Sequence, residues 1–174
     1  MELQSFFAQL LLKLQEHIKT EVPEIRYINQ DLGQLEVYDM GSPAVSWPCV
    51  LVDMSDTNYA DLHQGVQEAN ICTVVFRLGF NPFSQTSNLQ PEEVRKLGLY
   101  YYELEQKLYQ ALQGYNADGL CQPLTRTRMA TEKREEDAFR VRVMIMTTAF
   151  EDDGASLPKI TINPDLEIDF DTPL

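Results

Sequence analysis

The sequence predicts an α+β domain in which a mostly antiparallel sheet of about five to six strands packs with two long amphipathic helices. Three observations support this fold class. A helical apolar stripe opens the chain, strand-like segments follow it, and a second helical stripe precedes two final strands. With 174 residues, of which 44% are hydrophobic, the chain is long enough to bury one core. We assign residues 1–153 to a single domain and residues 154–174 to an acidic extended tail.

Each helix is indicated by apolar residues that recur three or four positions apart, which places them on one helical face. The first helix is expected from about Glu2 to Thr20, because Pro23 disfavours helical geometry in the residue before it. The second is expected from Pro91, a residue favoured at the first helical position, to Gly114, a frequent helix terminator. The stripes are Leu3, Phe7, Leu10, Leu14 and Ile18 in the first helix, and Val94, Leu97, Tyr101, Leu104, Leu108 and Leu112 in the second.

Between the helices, strands are indicated by short runs of apolar or β-branched residues bounded by turn formers. Residues 24–30 and 35–38 are expected to pair as a hairpin across the turn at residues 31–33. The continuous apolar run over residues 49–54 predicts a central strand. Residues 55–69 contain few apolar side chains, so we expect a long functional loop there.

Three further strands complete the predicted sheet. Residues 70–80 form the strongest of them, with Cys72, Val74, Phe76, Leu78 and Phe80 on one face. Residues 81–90 are expected to form a second polar loop. Residues 123–132 and 139–151 are expected to be antiparallel partners, because the second segment alternates with the period of a sheet that has one buried face.

The composition excludes several function classes. A formal net charge of -13 counts against general nucleic-acid binding and against docking on anionic lipid, which both need a basic surface. No signal peptide and no membrane-spanning run is evident, so we expect a soluble, reducing compartment. The three cysteines, Cys49, Cys72 and Cys121, are expected to be buried free thiols.

Candidate catalytic chemistry is sparse. His17 lies on the first helix, where a surface or boundary position is the simpler interpretation. His63 lies near Asp53 and Asp56 in sequence, but their spacing matches no common metal site. No phosphate-binding loop and no nucleophile elbow is present. The sequence therefore predicts no catalytic residue, no metal and no cofactor.

Two features favour contact with other proteins. In the acidic tail, apolar residues alternate with acids, a pattern that suits addition to a sheet edge of another chain. The alternatives are that the tail packs on its own domain or stays mobile. The last two predicted strands and their connection carry six of the 14 lysines and arginines, either as a solvated face or as a surface that attracts an acidic neighbour. The residues assigned to a subunit or partner interface are Tyr59, His63, Phe83, Arg126, Arg128, Arg140, Arg142, Leu166, Ile168 and Phe170.

The order of elements resembles that of the tail-terminator, or tail-completion, proteins of tailed bacteriophages and prophages. The resemblance covers about residues 1–152 and rests on the leading helix, on the short hairpin after it, on Pro48 followed by an apolar strand, and on the strand at residues 71–80. It also rests on the helix end at residues 108–114 and on the closing strand at residues 139–150. It implies an α/β sandwich whose copies form a ring, often a hexamer, without catalysis. The tail after Asp153 and the segment at residues 30–38 are longer than in the simplest members, so the docking surface is expected to differ.

The first hypothesis is therefore a structural protein of a phage or prophage tail. Its ring would end the tail tube or join it to the head connector, in the virion and, during assembly, in the host cytoplasm. DNA would pass through the acidic lumen without specific binding. The alternatives are an acidic protein-binding module that neutralises a toxin, and a divalent-metal nuclease that uses Asp53 and nearby acids.

Overall fold

Two helices lie on one face of a five-stranded sheet in the computed structural model of the protein. The structure describes residues 4–36, 38–39, 42–43, 45–63, 65–81, 85–132 and 139–156. The helices are α1 (Phe6–Glu21) and α2 (Glu92–Leu112). The strands are β1 (Tyr27–Gln30), β2 (Tyr38–Asp39), β3 (Ser42–Pro43), β4 (Cys49–His63), β5 (Val66–Phe80), β6 (Thr125–Glu132) and β7 (Arg140–Asp152).

The strand order of the main sheet is β1-β4-β5-β7-β6, and β2 and β3 pair separately. β1 is parallel to β4, whereas the other neighbouring strands of the main sheet are antiparallel. This mostly antiparallel sheet with two long helices confirms the predicted fold class. The two predicted final strands are also confirmed, since β6 and β7 pair from Thr125 opposite Thr147 to Glu132 opposite Val141.

The main core lies between the helices and the sheet face that they cover. The face of β5 that the sequence predicts to be buried is buried, including Phe76 at its centre. The helices contribute Leu10, Leu14 and Ile18 from α1 and Leu104, Leu108 and Leu112 from α2. Burying each such side chain stabilises the fold by about 1.5–3 kcal/mol relative to leaving it exposed. The helices are therefore held mainly by these two apolar rows.

A smaller cluster covers part of the opposite sheet face. Leu35, Cys49, Leu51 and Val141 are buried there, and Trp47 packs against them. Gly79 permits this packing, because a Cβ atom at Gly79 would lie 2.7 Å from both the Cys49 Sγ and the Trp47 ring. Burial raises the pKa of the Cys49 thiol to about 12. Cys49, Cys72 and Cys121 are all buried and free, as predicted.

Arg77 lies on this second face and is surrounded by three carboxylates. Its guanidinium is 2.9 Å from Asp31, 2.5 Å from Glu36 and 3.0 Å from Glu132. Burial acts to lower the pKa of Arg77, but the hydrogen bonds to Glu36 and Asp31 more than offset it, so its pKa lies above the usual range. This one side chain links β5 to β6 and to the turn after β1.

The predicted hairpin between residues 24–30 and 35–38 is wrong. β1 pairs instead with β4, with Tyr27 opposite Cys49, and residues 32–36 form turns in which the Glu36 N–H donates to the Gly33 carbonyl. The physical reason is that Leu35 is buried in the smaller cluster. This burial holds the chain around Leu35 against the face of the sheet, so it does not pair with β1.

The predicted loop at residues 55–69 is also wrong. β4 continues to His63 and β5 begins at Val66, so the two strands form one long hairpin. Between Asp53 and His63 no residue of β4 is buried. A strand without a buried face needs no apolar alternation, which explains why the sequence pattern did not indicate it.

One position of the predicted α2 stripe is wrong. Leu97 is 70% exposed, and Gly98 is the buried residue of that turn. Leu104, Leu108 and Leu112 of the stripe are fully buried, so the prediction holds for the later turns. Neither helix, among the residues that the structure describes, is long and apolar enough to span a lipid bilayer.

Candidate subunit interface

Strands β4, β5 and β7 continue past the ends of β1 and β6. We call this extension the arm and define it as residues 55–63 of β4, 66–71 of β5 and 148–152 of β7. Its longest segment, residues 55–63 of β4, extends for about 25 Å, at roughly 3.3 Å per residue. At its tip Gly65 has a φ of +85°, and a Cβ atom there would collide with the backbone of Ala155. The residues that follow β7 thus pack directly on the tip.

A cluster of aromatic rings holds the base of the arm against the start of α1. Phe150 is only 5% exposed, and its ring stacks on Phe6 with centroids 3.4 Å apart. Phe7 and Tyr59 approach Phe150 edge-on, at centroid distances of 5.9 Å and 6.2 Å. Burial, reinforced by the Asp152 carboxylate, raises the pKa of Tyr59. The arm is therefore fixed to the domain at one defined point.

The solvent-facing surface of the arm is acidic, whereas Ala69, Thr148 and Phe150 of the arm are buried. It carries Asp56 and Asp61 on β4, Glu68 on β5, and Glu151 and Asp152 on β7, and it contains no lysine or arginine. Leu62 and Ile71 are about half exposed, with values of 46% and 49%. This surface suits a partner that offers positive charge and some apolar area.

The predicted interface residues Tyr59 and His63 both lie on β4 of the arm, in a strand instead of the expected loop. Tyr59 is 42% exposed and His63 is exposed at the tip. The other predicted residues of the loop and the tail lie outside the described residues: Phe83, Leu166, Ile168 and Phe170.

Of the predicted basic cluster, Lys133 and Arg134 lie outside the described residues, and the four described arginines divide into two groups. Arg140 and Arg142 contact α2: the Arg140 guanidinium is 4.7 Å above the Tyr101 ring, and Arg142 donates to both carboxylate oxygens of Glu105. The hydrogen bond to Glu105 raises the pKa of Arg142. These two arginines hold α2 against the sheet.

The second group lies on the edge strand β6. Arg126 also contacts α2, because its guanidinium stacks 3.5 Å from the Tyr109 ring centroid and its backbone N–H donates to the side chain of Gln113 at the end of that helix. Arg128 is exposed, and none of the carboxylates in the described segments forms an ion pair with it. β6 therefore presents positive charge at the edge of the sheet.

Both outer edges of the sheet leave backbone groups available. In the part of the chain that the structure describes, residues 55–63 of β4 pair only with β5, and residues 127–132 of β6 pair only with β7. Such edges bind additional strands unless they are protected. Because β4 and β6 lie on opposite sides of the sheet, the two edges face in opposite directions.

An apolar groove of about 600 Å³ lies at the end of β5 that is farther from the arm. It opens beside the first half of α2, where the exposed Leu97 forms part of its wall. Its apolar and aromatic wall consists of Val45, Trp47, Pro48, Phe80, Leu97, Tyr100 and Tyr101.

The residues that the sequence analysis considered for catalysis or metal binding do not lie together in the structure. Asp53 and His63 lie on one continuous strand, and ten residues of strand separate them by about 30 Å. His17 Nε2 donates to the Ala111 carbonyl at 2.8 Å, and its ring stacks on Tyr115. Within the described residues, no group of three or more His, Cys, Asp or Glu side chains is placed to hold a metal ion.

No family model matches the chain, and no curated protein matches it. Among solved structures, it is similar to a chain from the virion of a native gene transfer agent particle. That likeness covers 85% of this chain and 92% of the other, at 14% identity and a TM-score of 0.45. A TM-score below 0.5 is too low to carry a conclusion about function.

Proposed function

We propose that this protein is a non-enzymatic structural component of a phage or prophage tail. Its copies associate head to tail into a ring that ends the tail tube or joins it to the head connector. The observation that carries this proposal is the pair of available sheet edges, β4 of the arm and β6, on opposite sides of one domain. A contact between two different surfaces of the same chain repeats from copy to copy and closes when the rotation between copies allows it.

The order of elements supports the same assignment. The leading helix, the apolar strand after Pro48, the long β5, α2 and the closing β6–β7 pair are all present, and these features carry the resemblance to tail-terminator proteins. The predicted hairpin is not part of that support, because β1 pairs with β4 instead.

The charge distribution favours a structural function over catalysis or nucleic-acid binding. The formal net charge is -13, so DNA passing near an acidic ring would adhere little. The described arginines that approach carboxylates or rings hold elements of the domain together, as Arg77 and Arg142 do.

The direct test is the mass and shape of the purified protein. We expect light scattering and sedimentation to give a closed oligomer, and negative-stain images to give rings. The measurement should extend to about 0.1 mM, where a contact with a dissociation constant near 1 μM is almost fully formed. A strict monomer at that concentration would overturn the proposal. A monomer that forms a one-to-one complex with a basic protein would support the toxin-neutralising alternative.

A matched pair of variants tests whether the arm takes part. Leu62→Asp places a charge on the arm, where Leu62 is 46% exposed, and Leu99→Asp places the same charge on α2, where Leu99 is 43% exposed. We expect the first variant to weaken assembly and the second to leave it unchanged, with both remaining folded by circular dichroism. Equal effects would mean that the arm is not in the interface.

The position in the particle is tested separately. An antibody against this chain is expected to label tailed particles at the junction of the tail with the head. Labelling along the whole tail, or on the capsid, would contradict a role at the end of the tail tube.

A further inference from the structure

We propose that the acidic arm of one copy binds along the basic edge strand β6 of the next copy and extends that copy's sheet. This inference rests on the proposed ring and names the two surfaces that form its subunit contact. The occupant of the β6 edge is thus residues 55–63 of a second copy of this chain. The position, the charge and the length of the two edges support this pairing.

The positions of the two edges permit a repeating contact. The strand order places β6 at one end of the sheet, and the arm part of β4 is exposed at the other end because β1 stops opposite Val52. β5 and β7 lie between them, so at about 4.8 Å per strand the two edges are roughly 14 Å apart within one copy and face away from each other. A single copy cannot pair its β4 edge with its own β6 edge, whereas the β4 edge of one copy can pair with the β6 edge of the next.

The charges of the two edges are complementary. β4 contributes Asp56 and Asp61 to the arm, and β6 contributes Arg126 and Arg128, while the one acid of β6, Glu132, is held in the ion pair with Arg77. Stacking on Tyr109 holds Arg126 in place at the edge. Two arms paired with each other would bring like charges together, which is destabilising in a sheet. The same repulsion applies to two β6 strands, so the mixed contact is preferred over a symmetric dimer.

The regular parts of the two edges are also similar in length. Pairing shifts at Met54/Asp56 and Asp61/His63 each place an extra residue on β4, so its outer edge runs without an extra residue over residues 56–61. The third shift, at Asn58/Tyr59, places its extra residue, Asn70, on β5 instead. A shift at Arg126/Arg128 leaves residues 128–132 as the regular part of β6. Irregularities of this kind protect an edge from indiscriminate pairing. In this protein they leave residues 56–61 of β4 and 128–132 of β6 as two regular segments of similar length.

Charge reversal followed by rescue tests the proposal. We expect Asp56→Lys/Asp61→Lys and, separately, Arg128→Glu to raise the concentration needed for half-maximal assembly by about tenfold or more. A chain that carries all three substitutions should assemble at a concentration at least about threefold lower than either partly substituted chain, because the lysines of the arm then face a glutamate at position 128, while Arg126 keeps its positive charge. Lys19→Glu, an equal charge change on the exposed end of α1, is the control and should change little.

A zero-length cross-link provides a direct readout. In an Arg128→Lys variant, carbodiimide should couple the new amine to Asp56 or Asp61, and mixed isotope labelling should show that the joined peptides come from different copies. Rings that form but ignore the charge reversals, and that give no such cross-link, would overturn this pairing while leaving the proposed function intact. Absence of any oligomer in the wild type would instead remove the proposed function itself.

Discussion

The aromatic anchor of the arm allows a quantitative prediction for Phe150→Ala. Phe150 is 5% exposed and contacts the rings of Phe6, Phe7 and Tyr59, so the substitution removes a buried ring and three aromatic contacts. Phenylalanine-to-alanine changes in cores cost about 3–5 kcal/mol of unfolding free energy. For a domain of this size we expect the melting temperature to fall by about 6–20 °C. The arm should also lose its fixed position on α1, and assembly should weaken.

The assay is urea unfolding followed by circular dichroism, at a protein concentration low enough to keep the chain monomeric. Leu99→Ala is the control, because Leu99 is partly exposed on α2 and its truncation should change the unfolding free energy by less than about 0.5 kcal/mol. A loss below about 1 kcal/mol for Phe150→Ala, with an unchanged denaturant slope, would refute the assigned role of the ring cluster.

Three further predictions follow from other features. Arg77→Met should cost about 3 kcal/mol of unfolding free energy, because it leaves Asp31, which is only 12% exposed, without this cation; a loss below about 1 kcal/mol in urea unfolding would contradict the network. The thiols should react slowly with iodoacetamide at pH 8 in the folded protein, because all three are buried and burial raises the pKa of Cys49 to about 12. Rapid labelling without urea would contradict that burial. Deleting residues 154–174 should reduce oligomer size in light scattering if the tail binds a neighbour, and an unchanged assembly would exclude that contact.

The sequence predicts well those elements that have one buried face. Apart from Leu97, which is exposed, and Leu3, which lies outside the described residues, the stripes of both helices follow from the spacing of apolar residues. The inward face of β5 follows from the same kind of spacing, because these elements lie against the same core. The pairing of β6 with β7 follows from the same rule. These elements establish the fold class without any knowledge of tertiary contacts.

The sequence predictions fail where the conformation of a segment depends on contacts with residues that are far away in the sequence. Leu35 is buried on the far side of the sheet, and no local pattern distinguishes that burial from a strand position. Leu97 matches the α2 stripe, but periodicity cannot show that the groove opens beneath that turn. The packing of Phe6 on Phe150 joins residues that are far apart in sequence, so the anchor of the arm was not predicted.

The candidate interface was predicted only in part. The sequence assigns Tyr59 and His63 to contacts, although in a loop, and the strand signal of residues 55–69 is limited to the β-favouring residues Thr57, Tyr59 and Val66. The acids of the arm were missed because solvated carboxylates are common in loops and strands alike. Arg128 and Arg142 have the same residue type, and only the structure separates an exposed edge from a contact with α2.

The strand order has a consequence for how the chain folds during synthesis. β5 pairs locally with β4, but its other neighbour, β7, is made only after α2 and β6, with about 60 residues between the end of β5 and the start of β7. At roughly 5–20 residues per second, the central strand waits about 3–12 s for that neighbour. A nascent or truncated chain that lacks β7 therefore exposes the middle of its sheet, and we expect it to aggregate or to need a chaperone.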